Sequence, residues 1–276
     1  MHAKHNNITS NTINIEVVEN PTPNPNSSIY INKVLVEDFT GIWCPFCTRI
    51  LWAIEQVELQ TDKVLVAAIH RGNPSGSYYD PWNLSAGETL ENAFPSLIGI
   101  AFEGYPTALL NRSVEWSYPE HTNITHPISL IKENCKYGIA ISSTLNTSDS
   151  GSVTIYFSFK ENLPNARCVV YILEDDLKAN QANGYGTLYG GANPIVNFNH
   201  KHVARGVVSS SILGENIPTD QSVAGSVYEM SFPVSSLSFS DIDKLTVMAV
   251  LLNSNGRVEN VQIAPANSIL DYELAE

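Results

Sequence analysis

The sequence predicts an α/β domain over residues 29–136 joined to an all-β sandwich over residues 137–276, after an N-terminal extended segment over 1–28. Two patterns carry this. A strand, a helix and a second strand succeed one another between Tyr30 and Ile69. Beyond Gly138, short apolar or alternating runs separated by Gly, Asn, Asp or Pro follow with no helical pattern between them. A chain of 276 residues is long enough to bury two modest cores.

The elements are justified in order. PTPNPNSS at 21–28 reads as a linker, and Ile13–Val18 before it as a candidate edge strand. YINKVLVEDF, from Tyr30 to Phe39, has the nearly continuous apolar centre of a buried parallel strand. From Cys44 to Leu59 the spacing turns helical, with Ile50, Ile54 and Val57 on one face. KVLVAAI, from Lys63 to Ile69, is a second buried strand, so the unit is βαβ with a parallel pair. Leu84–Ile100 is partly helical and interrupted by Pro95, Pro106–Asn111 is a third strand, and Ile128–Cys135 is expected to close the domain as a helix. IAISSTLNT, SVTIYFSF, ARCVVYIL, HVARGVVSS, SVYEMSFPV and KLTVMAVLLN supply the strands of the sandwich.

Composition narrows the function. The net charge of -13, with no basic run, disfavours nucleic acid and anionic membrane surfaces as partners. No apolar run approaches the roughly 20 residues of a membrane-spanning helix. MHAKHNNITSNTIN lacks the apolar centre of a signal peptide, which leaves a cytosolic location or an exported protein whose signal lies outside this sequence. Four cysteines are too few for a disulfide scaffold, so their placement decides their meaning.

Cys44-Pro45-Phe46-Cys47 stands at a strand-to-helix junction inside the βαβ unit, where such a pair is redox-active more often than metal-binding. Unpaired N–H groups and the positive end of the helix dipole stabilise a thiolate there. Cys44 is the expected nucleophile, with its sulfur toward solvent. Cys47, nearly one turn on, is the expected resolving thiol that releases a mixed disulfide. A zinc site would need a second ligand pair. Cys135 with Cys168, or His200 with His202, stand far off in sequence, so no metal is expected. The dithiol carries electrons itself, and no organic cofactor is needed.

VLVEDFTGIWCPFC at 34–47 resembles the thioredoxin active-site strand and motif, and GYPT at 104–107 resembles its cis-proline loop. The resemblance implies that Asp38 is a buried acid assisting proton transfer at Cys47. It also implies that Trp43, Tyr105, Pro106 and Thr107 shape a substrate groove, with Pro106 cis. Ala67 and Ala68 stand where thioredoxins carry a lysine partner for the acid, and Pro-Phe is neither of the usual intervening dipeptides. The direction of electron flow is therefore not inherited. Over most of its length, including NHKHVARGVV at 199–208, the chain is similar to the outer-membrane-associated lipoproteins of Bacteroidetes named for a twenty-eight-kilodalton protein. That likeness implies a location in the bacterial envelope and a lipid anchor carried outside this sequence, while the run of short strands is what marks the second domain as an immunoglobulin-like sandwich.

Other residues carry weaker expectations. His70 and Arg71 follow the second strand and would reach the rim of the cysteine pair. His200 and His202 would share one face of a strand spanning 199–208. The Gly- and Tyr-rich stretch 184–194 reads as a long mobile loop. Trp52 reads as packing, whereas Tyr78, Tyr79 and Trp82 in a polar loop are candidate partner contacts. A disulfide between Cys135 and Cys168 would tie the two domains together, against the alternative of two buried thiols. The resulting expectation is a thiol–disulfide oxidoreductase acting on protein cysteines in the envelope. Its rival is a non-enzymatic binding or structural protein with a static Cys44–Cys47 bond.

Overall fold

In the first half β1 (Val34–Thr40) and β2 (Val64–His70) run parallel, with Val34 opposite Val64 and Thr40 opposite His70. This is a computed structural model describing Pro21, residues 29–147 and residues 150–275. The edge strand expected at Ile13–Val18, and the linker apart from Pro21, lie outside the described residues. Between the two strands lies α1 (Thr48–Glu58). Its buried Ile50, Ala53, Ile54 and Val57 pack on Val34 and Val36 of β1 and Val64 and Val66 of β2. The helix begins at Thr48, so Cys44–Cys47 form the turn leading into it rather than its first residues.

A second helix, α2 (Gly87–Ile98), covers the opposite sheet face through Leu90, Phe94 and Leu97. Pro95 sits within its last turns without ending it, and Gly99 closes it in the left-handed conformation at φ +81°. β3 (Thr107–Leu110) then pairs antiparallel with β1, and β4 (Val114–Glu115) with β3. The closing helix expected at Ile128–Cys135 does not form, and a single helical turn, α3 (Thr125–Ile128), precedes that stretch instead. The chain beyond it is drawn into extended pairing. Lys132 N–H donates to Asn32 Oδ1, and Cys135 bridges Tyr30 in antiparallel register.

The second half supplies β5 (Tyr137–Leu145), β6 (Ser150–Phe159), β7 (Arg167–Glu174), β8 (Leu177–Gln181) and β9 (Ile195–His200). β10 (Val203–Val207), β11 (Glu215–Asn216), β12 (Val227–Ser235), β13 (Leu245–Leu252), β14 (Val258–Pro265) and β15 (Ile269–Leu270) complete it. One layer is the antiparallel sheet β12-β6-β5-β15. The facing layer is not a separate sheet. Its order is β14-β13-β7-β10-β2-β1-β3-β4, with β11 beside β7, so strands from both sides of residue 137 form one mixed sheet.

The junction is β10. Val203 pairs parallel with Ala68 of β2, while β10 runs antiparallel to β7 on its other edge. The apolar runs explain why the layers join there. Along β7, Cys168, Val170 and Ile172 face the core shared with β5, β6 and β12. Val169, Tyr171 and Leu173 of the same strand face the core capped by α2. Alternation in β13 is the same, with Val247 and Ala249 on one side and Met248 and Val250 on the other. A strand apolar on both faces needs cover on both, and only a position between two layers gives it. A buried network locks the junction. Arg112 donates to both carboxylate oxygens of Glu37 on β1, and its Nη2 also donates to the Tyr171 hydroxyl on β7. The fold is mainly β, with one mixed sheet and few helices.

Candidate redox site

Parallel strands β1 and β2 end on one edge of the sheet, and the segment from Gly41 to Cys47 crosses that edge. Cys44 and Cys47 are joined in a disulfide. Cys47 caps α1, its carbonyl accepting from the N–H groups of Ile50 and Leu51. Both cysteines are buried, at 1% and 0% exposure. The expectation that Cys44 faces solvent is therefore corrected. Phe46, between them, is half exposed.

The Tyr105–Pro106 peptide is cis, as the motif led us to expect. Trp43 stands edge-on to Tyr105 at 5.5 Å and to the exposed Tyr78 at 4.8 Å, and its indole N–H donates to the Arg71 carbonyl. Tyr105 donates its hydroxyl to Glu91 at 2.6 Å, and Thr107 donates to the Gly104 carbonyl. Trp43, Tyr78 and Tyr105 thus form an aromatic cluster built on the residue that precedes Cys44.

Asp38 and Thr40 lie on the α1 side of β1, and the Asp38 carboxylate oxygens and the Thr40 hydroxyl are buried with no hydrogen-bond partner among the described residues. Burial pushes the Asp38 pKa well above the ordinary carboxylate value, the neighbouring Glu120 charge adds to this, and Arg49 opposes it. Arg49, on the first turn of α1, is itself committed to a buried ion pair with Glu120. A cavity of about 30 Å³ opens from Asp38, past Leu51, Ile54 and Ala68, to Phe198 and His202. That is room for about one water molecule.

His70 and Arg71 do sit at this edge, but their side chains are engaged elsewhere. His70 Nδ1 lies 2.8 Å from Asp80 Oδ2, and the same oxygen accepts from the Ile42 N–H. Arg71 donates to Glu91 at 2.9 Å and to Asn83 and the Leu84 carbonyl. His200 and His202 do not share a strand face. His200 ends β9, buried against Trp82 and His70, and burial followed by the His70 charge pushes its pKa down to about 3. His202 sits at φ +55° between β9 and β10 and contacts Glu58 at 2.5 Å. Cys135 and Cys168 are buried free thiols, so the structure does not contain the bond weighed between them. Among the described residues no group of three His, Cys, Asp or Glu is placed to hold a metal ion.

Sequence reading missed one contributor, the segment from Gln181 to Gly184. Ala182 N–H donates to the Ile42 carbonyl at 2.8 Å and Gly184 N–H to the Pro45 carbonyl at 2.5 Å. The Gln181 amide donates to the carbonyls of Gly41 and Cys44, at 3.3 and 3.0 Å. Asn183 Oδ1 accepts from Thr48 at 3.0 Å, while its amide donates to the carbonyls of Leu188 and Ala192. The stretch read as a mobile loop is thus tied down. Tyr185 stands against His121 and Tyr189 against Phe198.

Fold and site together define a mainly β protein whose mixed sheet carries a CxxC disulfide at the carboxyl edge of its parallel strands. The family model of the outer membrane protein Omp28 matches residues 91–268, and the chain belongs to that family. This places the protein in the bacterial cell envelope, in association with the outer membrane. The cysteine motif lies ahead of the matched residues. HBP35 of Porphyromonas gingivalis is similar in fold, with a TM-score of 0.63 at 18% identity over 88% of this chain and 77% of that one. Protein AGR_C_4864 from Agrobacterium tumefaciens has a TM-score of 0.56 at 14% identity over 86% and 96% of the two chains. A domain of the outer membrane lipoprotein Omp28 from P. gingivalis aligns with 48% of this chain and 89% of its own, at 21% identity and a TM-score of 0.30. No curated protein matches the chain. Among the described residues no helix is long and apolar enough to cross a membrane.

Proposed function

We propose that the protein exchanges thiols and disulfides with protein substrates in the bacterial envelope through Cys44 and Cys47. We read the first half, with β10 alongside β2, as a thioredoxin-like unit, and the second as an immunoglobulin-like sandwich sharing its sheet. The observation carrying the functional reading is Asp38. A carboxyl group buried without a partner costs stability and is retained where it is used. On the strand leading into a CxxC disulfide, its use is to hold and release a proton.

The reaction balances without a cofactor. A substrate thiolate attacks Cys44 Sγ, the new S–S bond forms, and the Cys44–Cys47 bond breaks. Cys47 leaves as a thiolate and takes a proton from Asp38. A second substrate thiolate attacks the mixed disulfide and expels Cys44. The substrate gains a disulfide, and the protein holds the two electrons as the Cys47 thiol and the Cys44 thiolate, with Asp38 ionised until solvent returns its proton. Read backwards, with Cys44 as nucleophile, the same steps reduce a substrate disulfide. Trp43, Tyr105 and Pro106 are the residues against which an extended substrate would lie.

A second reading is favoured by the burial of both cysteines: a static disulfide in a non-enzymatic envelope protein whose sandwich binds a partner. The reduction potential of the pair separates the two. Exchange requires a value in the catalytic range of about -270 to -120 mV, whereas one below about -300 mV marks an inert structural bond and ends the proposal.

A further inference from the structure

Gln181–Gly184 lies across the CxxC turn and is held to it by main-chain hydrogen bonds. Ala182 and Gly184, two residues apart, direct their N–H groups at the Ile42 and Pro45 carbonyls, which flank Cys44 on either side. The donors stand two residues apart and their acceptors three, so the arm spans the turn without forming a β-ladder, and an extended peptide offers donors at the same period. The fit is close. A Cβ on Gly184 would come within 3.2 Å of the Pro45 side chain and 3.3 Å of the Phe46 ring. Gln181 is fully buried, and its amide holds the carbonyl of Cys44 itself. Meanwhile Cys44 has 1% exposure in a disulfide that exchange chemistry would need to reach.

We infer that Gln181–Gly184 is a latch on the CxxC turn, and that exchange at Cys44 requires it to lift. This rests on the exchange reading above and adds its regulation. The latch occupies backbone acceptors with donors of its own chain, so the partner that opens it is a polypeptide presenting a strand edge to Ile42 and Pro45.

The test is gated reduction of the oxidised protein by a small neutral phosphine, with Cys44 and Cys47 alkylated and quantified by mass spectrometry. The phosphine attacks one sulfur, the S–S bond breaks, and water converts the phosphonium to phosphine oxide as two thiols form. The wild-type rate should level off with rising phosphine at the opening rate of the latch. That plateau should match the exchange rate of the Ala182 and Gly184 amides at a pH where exchange is limited by opening. Gln181→Ala and Asn183→Ala should raise the plateau about tenfold or more, since each variant loses at least two hydrogen bonds. A rate rising linearly with phosphine throughout would overturn the latch, and it needs no variant to fold. A plateau in a protein whose pair is inert by potential would remove the exchange reading and keep the latch. Linear reduction of a catalytically poised pair would do the reverse.

Discussion

Replacing Asp38 by Asn should make the protein more stable, and increasingly so as pH rises. In the unfolded chain the carboxyl titrates near 3.8, whereas burial beside Glu120 raises its folded-state pKa well above that value. The sign follows from proton linkage. Below the unfolded pKa the acid is neutral in both states and burial costs the wild type no charge. Above it the unfolded chain releases the proton and the folded protein keeps it, so stability falls with rising pH. Each pH unit between the two values costs the wild type about 1.4 kcal/mol, a penalty that the uncharged amide of the Asp38→Asn variant cannot incur. Urea unfolding of the oxidised protein, with the disulfide intact in both states, should be measured from pH 4 to 8. Glu120 and Arg49 remain in both proteins, so their contributions largely cancel in the difference. The two stabilities should nearly coincide at the acid end and diverge through the neutral range. Parallel curves would show that Asp38 is ionised in the folded state and would remove its role as a proton donor.

Two further outcomes are expected. Arg112→Ala should cost about 3–5 kcal/mol in urea unfolding, because it leaves the buried Glu37 charge without its partner. Glu37→Met combined with Arg112→Leu should recover much of that loss, and no recovery would show that shape rather than charge holds the junction. Thiol titration should detect almost no reactive cysteine in the native oxidised protein. In guanidinium it should find two, Cys135 and Cys168, and a native signal of two would contradict their burial.

Local chemistry was the legible part. The parallel pair β1 and β2, the packing face of α1 and the cis Pro106 all follow from short stretches of side-chain pattern. Thr48 opens the helix later than periodicity implies, because periodicity marks which face is buried and not where the first helical bond closes. The joined sheet was harder to see. KLTVMAVLLN and ARCVVYIL show that their strands are buried on both faces, but not which layers cover them. That is decided by β10 meeting β2, a pairing between distant residues. The latch was invisible for a different reason. Gln181-Ala182-Asn183-Gly184 reads as an ordinary polar turn, and the groups doing the holding include the N–H of Ala182 and Gly184, which any non-proline sequence would supply.

The position of β10 also bears on how the molecule comes into being. A chain is made, and exported, from one end to the other, and β2 waits with an unpaired edge until Val203–Val207 has followed it. For the first part of that interval, until β7 has followed, Val169, Tyr171 and Leu173 are missing from the core that α2 must close. The cysteine turn is free of its latch until Gln181–Gly184 arrives, shortly before β10 does. An oxidant that meets Cys44 and Cys47 early therefore meets an open dithiol on an unfinished sheet, and folding of the later half then shuts the bond in.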